Sequence, residues 1–309
     1  MNIDLGISTG FAIKRWPDPK DWTKVVSEEL GLNAIQFSFD QFDPRGRKNS
    51  VESYCYRVRN ECEKHNITIH STFAGLSIYA HNLLYHPLAE GRMDGIDWFE
   101  HAFKMTNLLG VNATGGPLGG LDISSFLNDR RRNYLEESAM ELIAYLLVHA
   151  KQKYGIEEYY WEPTPVKREG AITIHDTKHF VDQVNEKTGK EGAHFSVCFD
   201  IGHTTNPELN QYDRNPINWV KELSSDISML HLQQTDGYLD RHFPFTEAYN
   251  ERGIIHAEDV LNELPANVNN LYLEVGHPFE ENDDLVLIEL KASVDYWKDA
   301  LTKKGWKHE

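Results

Sequence analysis

The chain has 309 residues, 40% hydrophobic and 26% charged, an ordinary globular composition with length enough for one large core. Its formal net charge of −17 argues against a nucleic-acid partner, because such binding draws on cationic contacts to phosphates. No apolar run approaches the ~20 residues that a membrane span requires, and the N-terminal MNIDLGIST lacks the basic and apolar regions of a secretory signal, so a cytoplasmic protein with no membrane partner is expected.

In chain order, short β-rich runs alternate with amphipathic stretches. Ile3–Ser8 reads as a strand, followed by a helix from Asp18 to Leu30 that opens on prolines and spaces Trp22, Val25, Val26 and Leu30 along one face. Ala34–Asp40 is followed by a helix from Ser50 or Val51 to His65, with Cys55 and Cys62 on a shared core-side face. With Cys198 they are too few and too scattered for a disulfide framework or a zinc cluster. Ile67–Phe73 leads into Tyr79–Asp97, a stretch longer than the connection needs and therefore a candidate substrate cover. Val111–Gly115 precedes the longest helix, Phe126 to Tyr154, with an expected stripe of Leu142, Tyr145, Leu146 and His149. Glu158–Glu162, Phe195–Asp200, Met229–Gln233 and Leu271–Glu274 complete eight strands. Helices are expected around Val181, at Pro216 to Leu223, at His256 to Leu264 and at Asp284 to Leu301.

Several strands are continuously apolar, as parallel strands covered by helices are. Eight strand–helix units predict an α/β fold, a closed (β/α)8 TIM barrel forming one domain over residues 1–309. A barrel of this kind carries its active site at the C-terminal ends of its strands. Strand five ends in YYWEP at Glu162, strand six in VCFDIGH at Asp200 and His203, strand seven in LHLQQTD at His231 and Gln233, and strand eight in LYLEVGHP at Glu274 and His277. Carboxylates converging at one mouth need compensation, which a divalent cation supplies. Glu162, Asp200, Gln233 and Glu274 form an oxygen-rich set suited to Mg²⁺ or Mn²⁺ rather than zinc. Gln233 is the expected strand-seven ligand, with His231 one layer deeper in the barrel.

Glu162, Asp200-x-x-His203, His231-Leu232-Gln233 and Glu274 resemble the xylose-isomerase-like barrel superfamily, in its branch of ketose 3-epimerases, hydroxypyruvate isomerases and sugar-phosphate isomerase/epimerases. The resemblance implies one Mn²⁺ or Mg²⁺ held by the matching residues, a small sugar or sugar phosphate as partner, and often a homo-oligomer. Gln233 departs from the histidine of the free-ketose epimerases and matches the hydroxypyruvate isomerases, which leaves the sub-branch open.

The chemistry is consistent with this likeness. A hydrogen beside a ketone becomes acidic once a metal polarises the carbonyl and stabilises the enediolate, and epimerisation then needs a base on one face and an acid on the other. Glu162 and Glu274 are the expected pair. His203 is read as a substrate contact, or as a group that caps a helix or orients Asp200. His70 is read as pocket-lining, and Arg241 as the substrate-binding arginine, with His242 as its competitor.

Lys167 and Arg168, close behind Glu162, are a candidate phosphate clamp with Glu169 beside them. The Gly115–Gly120 turn could offer backbone N–H groups to an oxyanion, and the EP…RE loop resembles that of members acting on tetrulose phosphates. Three other readings remain: a keto-polyol dehydratase on the same scaffold, a phosphodiesterase resembling the apurinic-site endonucleases, and a sugar-binding protein without turnover. The last does not explain two glutamates placed for acid–base work.

Overall fold

The computed structural model describes residues 1–308. Its eight main strands are β1 (Asn2–Ser8), β2 (Ala34–Ser38), β3 (Thr68–Phe73), β4 (Ala113–Gly116), β5 (Glu158–Trp161), β6 (His194–Asp200), β7 (Ile227–Leu232) and β8 (Asn270–Leu273). The hydrogen-bonded order runs β2-β3-β4-β5-β6-β7-β8-β1, and β1 pairs back to β2, so eight parallel strands close into a barrel. A two-residue strand at Lys307–His308 adds to β1 beside the ring.

The chain divides into two compact units. One comprises residues 1–37, 60–70 and 198–309. In it β1 lies between β2 and β8, with Ile7 level with Ile35 and Leu273, and β8 pairs β7 with Leu232 level with Leu273. Gly6 on β1 has no alternative, because a Cβ there would come 2.3 Å from the Tyr272 ring and 2.7 Å from the Ala34 carbonyl oxygen. The other unit comprises residues 38–59 and 71–197. There β4 lies between β3 and β5, with Gly116 level with Trp161, and Trp161 pairs Val197 of β6. Thr72, Thr106 and Thr114 satisfy one another's buried hydroxyls at 2.6 and 2.7 Å, which lets polar side chains sit in an otherwise apolar core.

Among the described residues, eight α-helices of six residues or more alternate with the strands: α1 (Pro19–Lys24, continued by a wider turn to Glu29), α2 (Lys48–Lys64), α3 (Ala89–Leu108), α4 (Asp129–Tyr154), α5 (Ile174–Thr188), α6 (Pro216–Glu222), α7 (Ala257–Glu263) and α8 (Asp283–Lys303). Local chemistry sets their ends. Asp18, Asn128, Thr173, Asn215 and Asn282 each cap a first turn through a side-chain oxygen, and Gly155 ends α4 in the left-handed conformation. Cys55 and Cys62 are both buried along α2, as expected, and burial pushes both thiols up to about 12.

Two expectations are corrected. The buried stripe of α4 is Leu135, Ala139, Ile143, Leu146, Leu147 and Ala150, and Tyr145 faces solvent. The stretch Tyr79–Asp97 is not a loop throughout, since α3 already begins at Ala89. Gly91 and Gly95 obscure that helix in the sequence; Gly95 is where α3 packs on the backbone of Leu83.

Candidate active site

Residues 198–309 bring most of the expected site together. The continuously apolar run of β6 carries Asp200 to full burial at its end. Its Oδ1 accepts from the Gly202 N–H at 2.6 Å, while Oδ2 has no hydrogen-bond partner and lies 4.0 Å from His203 Nε2. Burial, ahead of opposing attraction from His203 and His242, raises the Asp200 carboxyl above the ordinary carboxylate range. The register of β7 and β8 sets the next pair: Leu232 is level with Leu273, and the Glu274 N–H donates to the Leu232 carbonyl at 3.0 Å, so Gln233 and Glu274 stand side by side just past their strands.

His231 is fully buried beneath them. Its Nδ1 lies 2.7 Å from Glu274 Oε2 and its Nε2 2.7 Å from Gln36 Oε1. Both ring nitrogens are therefore engaged, as the deeper position expected for this histidine requires. Burial works to raise the Glu274 carboxyl, but His231, with His242 and His203, holds it below the usual range.

The sequence reading missed Asp240 in the loop beyond Gln233. Asp240 returns to it and accepts from Gln233 Nε2 at 2.8 Å, and the same carboxylate lies 3.2 Å from His203 Nε2 and 3.3 Å from His242 Nε2. His242 is the competitor weighed against Arg241. Its Nδ1 meets the Glu274 carbonyl at 2.9 Å and its N–H donates to Gln233 Oε1 at 2.5 Å, on a left-handed backbone of φ 48°. Burial lowers the basicity of His242, but Asp240, followed by Glu274 and Asp200, raises it to about 10. Arg241 turns to Asp236 at 3.2 Å and lies over the Phe243 ring.

The oxygen donors fit a hard divalent cation. Asp200 Oδ2 is a buried acceptor with no hydrogen bond, and the Gln233 amide oxygen keeps a lone pair beyond the one His242 uses. Asp200, His231 and Glu274 each offer an atom within 4.8 Å of the others, but His231 and His242 spend their nitrogens on protein acceptors, so the free donors are oxygens.

Glu162 belongs to the other unit. It follows β5 directly and is buried, one residue after Trp161, whose partner Val197 is three residues before Asp200 on β6. The loop beyond it is tied down by Glu169, which accepts from Tyr79 Oη at 2.9 Å and Thr164 Oγ1 at 2.6 Å. Arg168 donates to the Leu121 carbonyl at 2.7 Å, and Lys167 is exposed. The Gly115–Gly120 turn is a packed junction: Ala74 N–H, Tyr159 Oη, Leu84 N–H and Asn82 Nδ2 take its carbonyls.

His70 sits half-buried with its ring 5.3 Å from that of Tyr272, and burial lowers its imidazole to about 4. Since an unfolded histidine titrates near ~6.5, its contribution to stability is complete above that pH and is lost as pH falls toward ~4, at most about 3 kcal/mol. A proton NMR titration is expected to give the His70 ring a midpoint near 4, and His70→Gln to flatten the acid limb of the stability curve. A midpoint near the ordinary value contradicts this.

Gly202 gives a sharper case. A Cβ there would come 2.4 Å from Gln233 Cδ and 2.7 Å from Cγ, and Gln233 is clamped at both ends of its amide. Gly202→Ala is expected to cost about 1–3 kcal/mol and to weaken metal binding with it. Thermal denaturation and metal titration of the variant check both.

Fold and site together define a barrel enzyme with carboxylates gathered at strand ends. A family model described as the xylose isomerase-like TIM barrel matches residues 26–299, and the chain belongs to that family. It is 24% identical over 302 residues, 96% of each chain, to a D-erythrulose 1-phosphate 3-epimerase of Brucella abortus (strain 2308). A crystal structure from Rhodospirillum rubrum, named as a candidate xylose isomerase, is 28% identical with a TM-score of 0.89, covering 96% of this chain and 99% of that one. A D-psicose 3-epimerase with D-tagatose from Clostridium cellulolyticum has a TM-score of 0.71 at 15% identity, over 97% of this chain and 99% of that one, a likeness of fold. The chain is an isomerase-class enzyme, of the epimerase kind.

Proposed function

We propose that the protein is a divalent-metal-dependent 3-epimerase of a small ketose phosphate, with D-erythrulose 1-phosphate or a close tetrulose phosphate as substrate. The observation that carries the reading is the buried Asp200 Oδ2, without a hydrogen bond, beside Gln233 and Glu274 at neighbouring strand ends. Glu162, at the end of the strand paired to β6, completes the proposed ligand set Glu162, Asp200, Gln233 and Glu274. Three carboxylates and an amide oxygen favour Mg²⁺ or Mn²⁺. When bound, the cation supplies Lewis-acid polarisation of the substrate carbonyl.

The protein's own groups then move the proton. One of Glu162 and Glu274 removes the C3 hydrogen, and the other delivers a proton to the opposite face. The depressed Glu274 carboxyl begins ionised, the form a base requires. His203, held by Asp240, presents its ring to a substrate hydroxyl, with His70 and Arg241 further contacts. Lys167 and Arg168 hold the phosphate, in line with the full-length likeness to an enzyme of D-erythrulose 1-phosphate.

The test compares D-erythrulose 1-phosphate with free D-erythrulose, D-psicose and D-tagatose on Mn²⁺-loaded protein, following inversion at C3 by NMR. One charge-assisted contact is worth about 1.5–3 kcal/mol, so kcat/KM is expected to favour the phosphate ester by about 10–150-fold. Equal or better turnover of a free ketose rejects the phosphate assignment. Loss of water in place of inversion would make the enzyme a dehydratase.

A further inference from the structure

A glutamine is an ambiguous metal ligand, because its oxygen and NH2 group occupy nearly the same space and a half-turn exchanges them. In this site the ambiguity is resolved from both sides. The Asp240 carboxylate, which can only accept when ionised, faces Gln233 Nε2 at 2.8 Å, and the His242 N–H, which can only donate, faces Oε1 at 2.5 Å. Turning the amide over would set oxygen against carboxylate and NH2 against N–H.

Asp240 is itself fixed, with His203 Nε2 at 3.2 Å and His242 Nε2 at 3.3 Å. His242 in turn is anchored by its Nδ1 on the Glu274 carbonyl. Gly202 packs close against the same side chain, since even a Cβ there would come 2.4 Å from Gln233 Cδ. Every polar atom that orients the amide therefore traces to the loop carrying Asp240 and His242.

We propose that Asp240 is a positioning residue that locks the Gln233 amide with its oxygen toward the cation. The inference rests on the reading of Gln233 as a ligand. It adds that this glutamine works as a ligand only with an acceptor at position 240, and it gives a second task to the carboxylate that holds His203.

The test is titration of metal-stripped protein with MnCl2 by calorimetry, with the melting temperature of each metal-free variant measured alongside. Partners of metal ligands typically contribute 10–100-fold in metal affinity. Asp240→Ala is expected to weaken Mn²⁺ binding by about that factor; it should also lower the metal-free melting temperature, because His203 and His242 lose their carboxylate, so binding is titrated well below that temperature. Asp240→Asn keeps the shape and one acceptor but can turn its own amide over, and an intermediate loss of about 3–10-fold is expected. Gln233→Leu separates the two claims. If Gln233→Leu weakens Mn²⁺ binding and either Asp240 variant binds like wild type, Gln233 is a ligand and the positioning role is wrong. If Gln233→Leu itself binds Mn²⁺ like wild type, the ligand assignment fails and the inference falls with it.

Discussion

Glu274→Gln and Glu162→Gln should each lose about 10²–10⁴-fold in kcat, the usual worth of a positioned acid or base. The substitution preserves shape and removes basicity, and because both residues are also proposed ligands, kcat is read at saturating Mn²⁺ so that weaker metal binding does not stand in for lost proton transfer. Epimerisation needs both faces of C3 served, so either change alone stops net inversion. The two variants differ in what survives: each keeps one glutamate, and each should still exchange the C3 hydrogen of one epimer with solvent, opposite epimers for the two variants. Glu274→Gln should also disturb His231, which loses the carboxylate 2.7 Å from its Nδ1. Turnover within about threefold of wild type in either variant would remove that residue from the acid–base pair; the expected loss is far larger.

Removal of the metal should have the second largest effect. Chelation is expected to bring turnover to background and addition of Mn²⁺ or Mg²⁺ to restore it, measured as inversion at C3. It should also lower stability, since a cation present at 100 times its dissociation constant contributes about 2.7 kcal/mol to the folded state. Melting temperature should therefore rise by several degrees on adding metal. Protons compete with the cation for its ligands. Burial raises the Asp200 carboxyl, so on acidification metal loss should begin above the ordinary carboxylate range. Undiminished turnover after exhaustive chelation would contradict the metal-dependent reading.

Much of this was legible in the sequence for an identifiable reason. Strands buried on both faces read as apolar runs, and a polar residue closing such a run marks the strand end where a barrel places its chemistry. Asp200, Gln233 and Glu274 were singled out that way, and in the structure they follow or close β6, β7 and β8, with Asp200 and Glu274 each offering an oxygen within 4.8 Å of the other. The deeper place of His231 followed from taking Gln233, two residues on, as the residue at the strand end, and its contacts with Gln36 and Glu274 explain why it sits there.

Other features had no local signal. Asp240 and His242 lie in GYLDRHF, where nothing in the residue types shows that the loop doubles back onto Gln233. Arg241 was named by its likeness to the family arginine; in the structure it pairs with Asp236, and His242 beside it reaches Gln233 and the Glu274 carbonyl. The short helix Leu76–Tyr79 takes its N-terminal partners from Asp40, some 36 residues earlier, so no capping motif precedes it. On α4 the expected Leu146 is buried, but Tyr145 is exposed and Leu142 and His149 are only half-buried, because which side of the helix faces the core is not fixed until its packing partner is known.

The central claim, that the enzyme inverts C3 by removing its proton, is tested most directly by running the reaction in D₂O. Metal-loaded protein is incubated with D-erythrulose 1-phosphate, and carbon-bound deuterium is followed by NMR from the earliest turnover. Transfer between two glutamates predicts one deuterium at C3 of the product, with unreacted substrate almost unlabelled at early times. Inverted product carrying no solvent deuterium at C3, or deuterium at C1 in its place, would contradict the account.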